Sequence, residues 1–484
     1  MSNFNGLMLE ANLIGGAWTG ADSGETIAVT NPATGETLGQ IPASGADETT
    51  RAIAAAKDAF ATWSRTDLMA RVKLLQDLHD ALLDNQEPLA QLLTAEQGKP
   101  LFEARGEIAI GSAYVRWFAE RGRRAEGEIF PAPTADRRLL VTHHPVGVVG
   151  AITPWNFPSS MLARKLAPAL AVGCTVVAKP ATQTPYSGLA WGKLCEDVGF
   201  PAGVVNILTG SARAIGGAIM QSPDVRKVTF TGSTEVGKTL IRQSADTVKK
   251  VSMELGGNAP FIVFDDADLD AAIEGAMVAK YRNMGQTCVC TNRFIVQAGI
   301  HDAFVQRLAE ATGALVVGDG TEAGVQQGPL IDNTAVEKVE TMIADAVEKG
   351  GTVVTGGKRH GNGGTYFQPT VVTGATGDMM FATDEIFGPL SAVFKFETED
   401  EALAAANATE YGLAAYAYTN DLARVFRLNE GLDYGMIGIN AGLITTVEAP
   451  FGGVKESGIG KEGGSQGLED YLDTKYTAIA GLGG

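Results

Sequence analysis

The sequence predicts an α/β fold, a doubly wound parallel sheet joined to a second α/β domain. Three observations carry this expectation. Short apolar runs alternate with helical stretches in one half of the chain; the same alternation begins again near Phe261; and a long helical tract, with apolar residues three and four apart, precedes both. The composition agrees, since 484 residues with 45% hydrophobic and 19% charged content suit a folded chain of several domains.

Taken in order, the segment from Ala46 to about Gly122 holds "ETTRAIAAAKDAFATW" and "RVKLLQDLHDALLDN", helices expected to cover a sheet. From Pro145 the runs "VGVVGAIT", "CTVVAK", "GVVNIL", "RKVTFTG" and "KKVSMEL" read as strands of parallel βαβ units, the arrangement of a nucleotide-binding sheet. "FIVF", "NRFIVQA", "TVVTG", "SAVFKF", "AAYAYT" and "YGMIGIN" read as strands of the second domain. "EIFPAPTADRRLLVTHHPVG" reads as an extended hairpin and "TKYTAIAGLGG" as an edge strand. Exposed apolar strands of this kind need a partner, which predicts a homo-oligomer.

Charge excludes several classes. Acidic residues outnumber basic ones by 56 to 38, a net charge of −18, so neither nucleic acid nor an anionic membrane is an expected partner. The N-terminus lacks a basic stretch followed by an apolar run, and no run of ~18 uncharged apolar residues occurs, so a cytoplasmic protein is expected. Four cysteines are too few for a disulfide framework, and the five histidines show no ligand spacing, so no metal site is expected.

One match points elsewhere. "FTGSTEVGKT" (230–239) satisfies the phosphate-loop pattern GxxxxGK[ST], and "FIVFDD" could supply a magnesium-binding acid, as in a nucleotide triphosphatase. The residues between the glycines oppose that reading, because Glu235 brings a carboxylate and Val236 a β-branched side chain to a turn that should cradle phosphates. A helix is expected directly after Gly232, with Ser233 and the helix N-terminus facing a single pyrophosphate, Gly237 allowing close packing and Lys238 pointing away.

Three residues could carry other chemistry. Cys288 follows the turn-forming "GQT" and could present a thiol, although most cysteines are small buried hydrophobes. Glu254 ends a predicted strand ahead of Gly256 and Gly257, where a carboxylate could act as a base. Asn156 lies between Trp155 and Phe157 at another strand end and could donate to an oxyanion.

Together these segments resemble the aldehyde dehydrogenase superfamily over essentially the whole chain. The carrying motifs are "PWNFP", "KPATQTP", "FTGSTEVGK", "MELGGNAP", "GQTC", "EIFGP" and "PFGGVKESGIGKEGG". The resemblance implies an aldehyde-dehydrogenase-like architecture: a Rossmann-type cofactor domain (1–123 and 146–257), an α/β catalytic domain (258–449, with 450–470 returning to the cofactor domain) and a small β oligomerisation element (124–145 and 471–484). A dimer of dimers is the implied assembly. Cys288 is implied as the nucleophile forming a thiohemiacetal and then a thioester, Asn156 with the Cys288 N–H as the oxyanion donors, and Glu254 as the base that activates the hydrolytic water. Hydride is implied to pass to a nicotinamide held by Glu385 and Phe387, with Thr153, Pro154, Trp155, Lys179, Thr182, Gly232, Ser233, Gly237, Glu254 and Leu255 as the other cofactor-binding positions.

Thr182 stands where the NAD-preferring pattern of the family commonly has an acidic residue. A threonine can donate to a 2′-phosphate and Lys179 can neutralise it, so NADP is expected as the preferred cofactor and NAD as a usable second. Within the superfamily, "YRNMGQTCVCTNR", "MLARKLAPAL" and "NAGLITTVEAPFGG" are most similar to succinate-semialdehyde dehydrogenases. Arg164 and Arg282 match the arginines that clamp a distal carboxylate there, with Thr445 and Phe451 in the same pocket, so a small carboxylated aldehyde is the expected substrate. Thr445 replaces an expected serine, which leaves glutarate or 2-oxoglutarate semialdehyde open beside succinate semialdehyde, and a broad aliphatic aldehyde dehydrogenase as a further alternative. Cys290 would point to the same side as Cys288 in extended chain, and related enzymes suggest a reversible bridge between the two.

Overall fold

The computed structural model describes residues 4–482; the ends of the first and last predicted segments, 1–3 and 483–484, lie outside the described residues. The predicted helical tract forms four helices, Ala46–Trp63, Leu68–Asp84, Gln86–Gln97 and Leu101–Gly122. The last three pack their apolar faces into the largest core, whereas the first sets Ala52, Ile53 and Ala56 against Val148, Val177 and Val228 in a separate cluster. All five predicted strands of the first sheet are present and pair in parallel, in the order Val205–Ile207, Thr175–Lys179, Val148–Ile152, Val225–Thr231, Lys250–Glu254. Chain order therefore reverses beside Val148–Ile152, which opens a crevice at the C-terminal ends of that strand and of Val225–Thr231.

Short strands that the hydrophobic pattern did not reveal extend this sheet on both sides. Asn12–Ile14 and Ala17–Thr19 add antiparallel beyond Val205–Ile207, and Gly458–Ile459 adds antiparallel to Lys250–Glu254. Another unpredicted pair, Thr26–Thr30 with Thr37–Pro42, forms a separate hairpin.

From Glu254 the chain crosses in four residues to Ala259–Val263, a central strand of a seven-stranded sheet. That sheet is parallel except at its edge, where the two copies of "TVVT", Thr352–Thr355 and Thr370–Thr373, pair antiparallel. Glu254 thus ends a strand of one sheet, while Cys288 precedes Thr291–Gln297 of the other. The predicted hairpin, Glu128–Phe130 with Arg138–Pro145, and the edge strand Leu472–Ile479 form a separate three-stranded antiparallel sheet with exposed Ile129, Phe130 and Tyr476. No described helix is long and apolar enough to cross a membrane.

Candidate active site

The crevice is shaped by two loops. After Val148–Ile152 come Thr153, Pro154, Trp155 and Asn156; after Val225–Thr231 come Gly232 and Ser233, and Ser233 Oγ caps the helix Thr234–Ser244 by accepting from the Val236 N–H at 3.4 Å. The first amides of that helix have no partner within it and make a binding place for an anion. Pro154, Trp155, Gly232 and Ser233 line a cavity of about 320 Å³, closed opposite by Leu255, Glu385 and Phe387. Trp155 and Phe387 meet edge to face, ring centres 5.5 Å apart.

Gly237 lies outside this cavity: a Cβ there would sit 2.4 Å from Leu255 Cδ2. The absence of a side chain there brings the helix down onto Leu255. Lys238 pairs with Glu456 at 2.5 Å, and "FIVFDD" belongs to the other sheet, where Arg424 and Thr419 engage Asp266. The parts of a triphosphatase are therefore never assembled.

Cys288 borders this cavity and a second one of about 540 Å³. It leaves a left-handed stretch in which Asn283, Met284 and Gly285 have φ of 52°, 55° and 73°. Non-glycine residues pay for such a conformation, and Asn283 is held there from every side. Its N–H donates to Glu103 Oε2 (2.8 Å), its Oδ1 accepts from Gln97 (3.0 Å), and its Nδ2 donates to the carbonyls of Asn156 (3.0 Å) and Gln286 (3.2 Å). Asn156 Nδ2 donates to the Gln286 carbonyl at 2.9 Å, which leaves its other hydrogen for an oxyanion, and Lys99 Nζ holds the Asn156 carbonyl at 2.7 Å.

The chain from Thr287 to Cys290 is a turn, closed by a Cys290 N–H bond to the Thr287 carbonyl at 3.1 Å. The extended geometry expected to set Cys288 and Cys290 on one side is absent. Cys290 is buried, with its Sγ 3.4 Å from the carbonyls of Lys280 and Thr291, and both thiols are free.

Burial pushes the Cys288 thiol up to about 12, aided by the carboxylates of Glu385 and Glu254 and opposed by Arg164 and Arg282. Glu254 is buried, its Oε2 meets no donor, and its pKa stands well above the ordinary carboxylate range, chiefly through burial and then through Glu462. Lys165, Arg164 and Lys461 pull it back; Lys165 is itself paired with Glu462. Gly452 keeps the approach open, since a Cβ there would lie 2.7 Å from Glu254 Oε1. Glu385 is raised to about 7 by burial and accepts from the Gly257 N–H at 3.0 Å.

The larger cavity gathers the four expected substrate residues, Arg164, Arg282, Thr445 and Phe451, around Cys288. Arg164, on the helix Ser160–Val172, lies 4.0 Å from the Phe451 ring centre; its nearest carboxylate oxygen, on Glu462, is 4.0 Å away, and its Nε has no partner. Arg282 stacks 5.5 Å from the Phe157 ring and forms no ion pair among the described residues. Phe157, Met161, Gln327 and the carboxyl of Glu103 also line this wall. Sequence reasoning missed them: Phe157 stood in a quoted motif, whereas Glu103 had only a helical position to mark it.

Lys179 is buried, and its ammonium donates only to the neighbouring Pro180 carbonyl at 3.0 Å; burial lowers its pKa to about 8. A buried cation without a carboxylate fits an anionic or hydroxyl-bearing ligand, so this strand end suits the ribose end of a dinucleotide. Thr182, in the loop beyond, is half-buried and does not line the described cavity, and neither do Thr153 or Lys179.

Residues 18–477 match the aldehyde dehydrogenase family. The chain is 56% identical to 3-sulfolactaldehyde dehydrogenase of Pseudomonas putida over 98% of each chain, and 55% identical to glutarate-semialdehyde dehydrogenase of Pseudomonas aeruginosa over 97% of each. It is 52% identical to succinate-semialdehyde dehydrogenase [NADP(+)] of Escherichia coli over 99% of each. The crystal structure of succinate-semialdehyde dehydrogenase from Burkholderia pseudomallei superposes with a TM-score of 0.98 at 54% identity, covering 98% of both chains.

Proposed function

From the premise that this chain belongs to the aldehyde dehydrogenase family, we propose that it oxidises succinate semialdehyde to succinate, with NADP preferred and NAD usable. The observation that carries the reading is the pair of guanidinium groups, Arg164 and Arg282, facing one cavity with Cys288: Arg282 forms no ion pair among the described residues, and Arg164 meets its nearest carboxylate, that of Glu462, only at 4.0 Å. Forked donors left open in this way suit a small anion.

Cys288 Sγ attacks the aldehyde carbon, and the carbonyl oxygen becomes an oxyanion received by Asn156 Nδ2 and the Cys288 N–H. Burial holds the resting thiol protonated, so its proton leaves to solvent as the sulfur attacks, with Arg164 and Arg282 favouring the thiolate. The raised pKa of Glu254 makes that carboxylate, still unprotonated for the hydrolytic step, a stronger base than an ordinary one. When bound, the nicotinamide supplies the acceptor for the hydride that the substrate carbon loses. Pro154, Trp155, Gly232, Ser233, Glu385 and Phe387 would hold it against Cys288, with Lys179 and Thr182 reading the ribose end. Glu254 then takes a proton from water, whose oxygen displaces Cys288 from the acyl carbon and releases the acid.

A second reading has specific support. Two open arginines would also accept a sulfonate, and a sulfolactaldehyde-oxidising relative stands at 56% identity; the methyl of Thr445 bears on chain length, and a glutarate-semialdehyde relative stands at 55%. A panel of succinate semialdehyde, glutarate semialdehyde, 3-sulfolactaldehyde and butanal, each with NADP and NAD, decides among them by kcat/KM. Succinate semialdehyde with NADP is expected to rank first, and equal rates with butanal would reject an anion-reading pocket. The reading includes a homo-oligomer, a dimer of dimers built through the exposed three-stranded sheet; light scattering showing only monomer at micromolar concentration would remove it.

A further inference from the structure

The larger cavity contains a group that its anionic substrate does not call for. Glu103, on the helix Leu101–Gly122, puts a carboxyl on the same wall as Arg282. The Asn283 N–H pins its Oε2 at 2.8 Å, one residue from Arg282 along the chain, and no protein donor among the described residues engages its other oxygen. The two do not form an ion pair, so Glu103 stands near Arg282 without filling its fork. The charged groups that face Glu103 are Lys99, Arg282 and Glu107, and Lys99 is already committed to Glu107 at 2.6 Å.

We propose that Glu103 is a specificity-determining residue of this cavity, whose carboxyl sets how strongly Arg282 draws an anionic substrate tail. The inference rests on the anion-reading pocket described above and deepens it. Ionised, Glu103 offsets one unit of positive charge on the wall; protonated, it leaves the arginine field intact and can itself donate to the tail. Burial raises its pKa to about 7, with Lys99, the Asn283 N–H and Arg282 opposing and Glu107 adding to the rise. Below that pH the neutral acid prevails and anionic aldehydes are favoured; above it the carboxylate prevails and the preference weakens. The tail of a semialdehyde is ionised throughout this range, so the change belongs to the wall.

The test is the ratio of kcat/KM for succinate semialdehyde to that for butanal, followed from about pH 6 to about pH 8.5 in the wild type, Glu103→Gln and Glu103→Ala. The neutral aldehyde cancels titrations common to both substrates, including those of Cys288 and Glu254. The wild-type ratio is expected to fall about fivefold as pH rises, and both variants are expected to hold it high and flat. Gln keeps an acceptor for the Asn283 N–H, so a melting curve close to wild type should accompany the altered ratio. Variants that follow the wild-type slope, or a wild-type ratio that does not change, overturn the inference. Arg282→Ala separates the two levels: a lowered ratio there with unaltered Glu103 variants sinks the role of Glu103 alone, whereas no change on removing Arg282 sinks the anion-reading pocket and this inference with it.

Discussion

On one side of Cys288 the cavity wall carries two guanidinium groups whose forks are open; on the other it carries a helix N-terminus, glycine and two aromatic rings. The first wall discriminates by side-chain charge, and one substitution can change what it accepts. The second discriminates by backbone shape, with Ser233, Gly232 and the packing of Gly237 on Leu255 fixing where amides point. A substrate site of the first kind can diverge among close relatives while a cofactor site of the second kind stays put. The three relatives, each more than half identical to this chain, bear the names of three different anionic aldehydes.

The largest effect should come where the two walls meet. Cys288→Ala is expected to lower kcat by at least about 10⁴-fold with either cofactor, while Glu254→Gln retains a single-turnover burst of reduced cofactor and loses steady turnover; stopped-flow absorbance distinguishes the two. An active Cys288→Ala enzyme would break the comparison outright, because the cavities would no longer share a reacting atom. Next, Arg282→Ala should raise KM for succinate semialdehyde about 30-fold or more and that for butanal less than about threefold, as expected for a lost charge-assisted pair. Equal changes would mean that the first wall reads shape as well. The smallest effect is expected at Lys179→Ala, which should raise KM for NADP about tenfold and that for NAD about twofold. A loss shared equally between the cofactors would make Lys179 a ribose ligand and leave cofactor choice without a charged reader at that strand end.

The legible part of this molecule follows the same division. Strands of the two parallel sheets announced themselves because residues buried on both faces form continuous apolar runs. Arg164, Arg282 and Cys288 could be placed because they stand in recognisable motifs. Asn12–Ile14 and Gly458–Ile459 could not, since two or three residues at a sheet edge carry no period. The turn-forming lead before Cys288 is legible, but the left-handed stretch ahead of it is not: only Gly285 advertises such a backbone, while Asn283 adopts it with Glu103, Gln97 and Asn156 there to receive it, and nothing local marks Met284. Lys99, Glu103 and Glu107 look like the polar face of a helix, and nothing local tells that the face is turned inward.

That left-handed turn bears on how the enzyme comes into being. Its hydrogen bonds reach back 186, 180 and 127 residues along the chain, to Gln97, Glu103 and Asn156. Contacts so far apart in sequence close late in folding. During synthesis the thiol of Cys288 emerges after its three anchors, yet it gains its working posture only when the helical tract and both sheets have docked. A nascent or partly folded chain therefore carries an ordinary cysteine, and recovery of activity on refolding should trail recovery of helix.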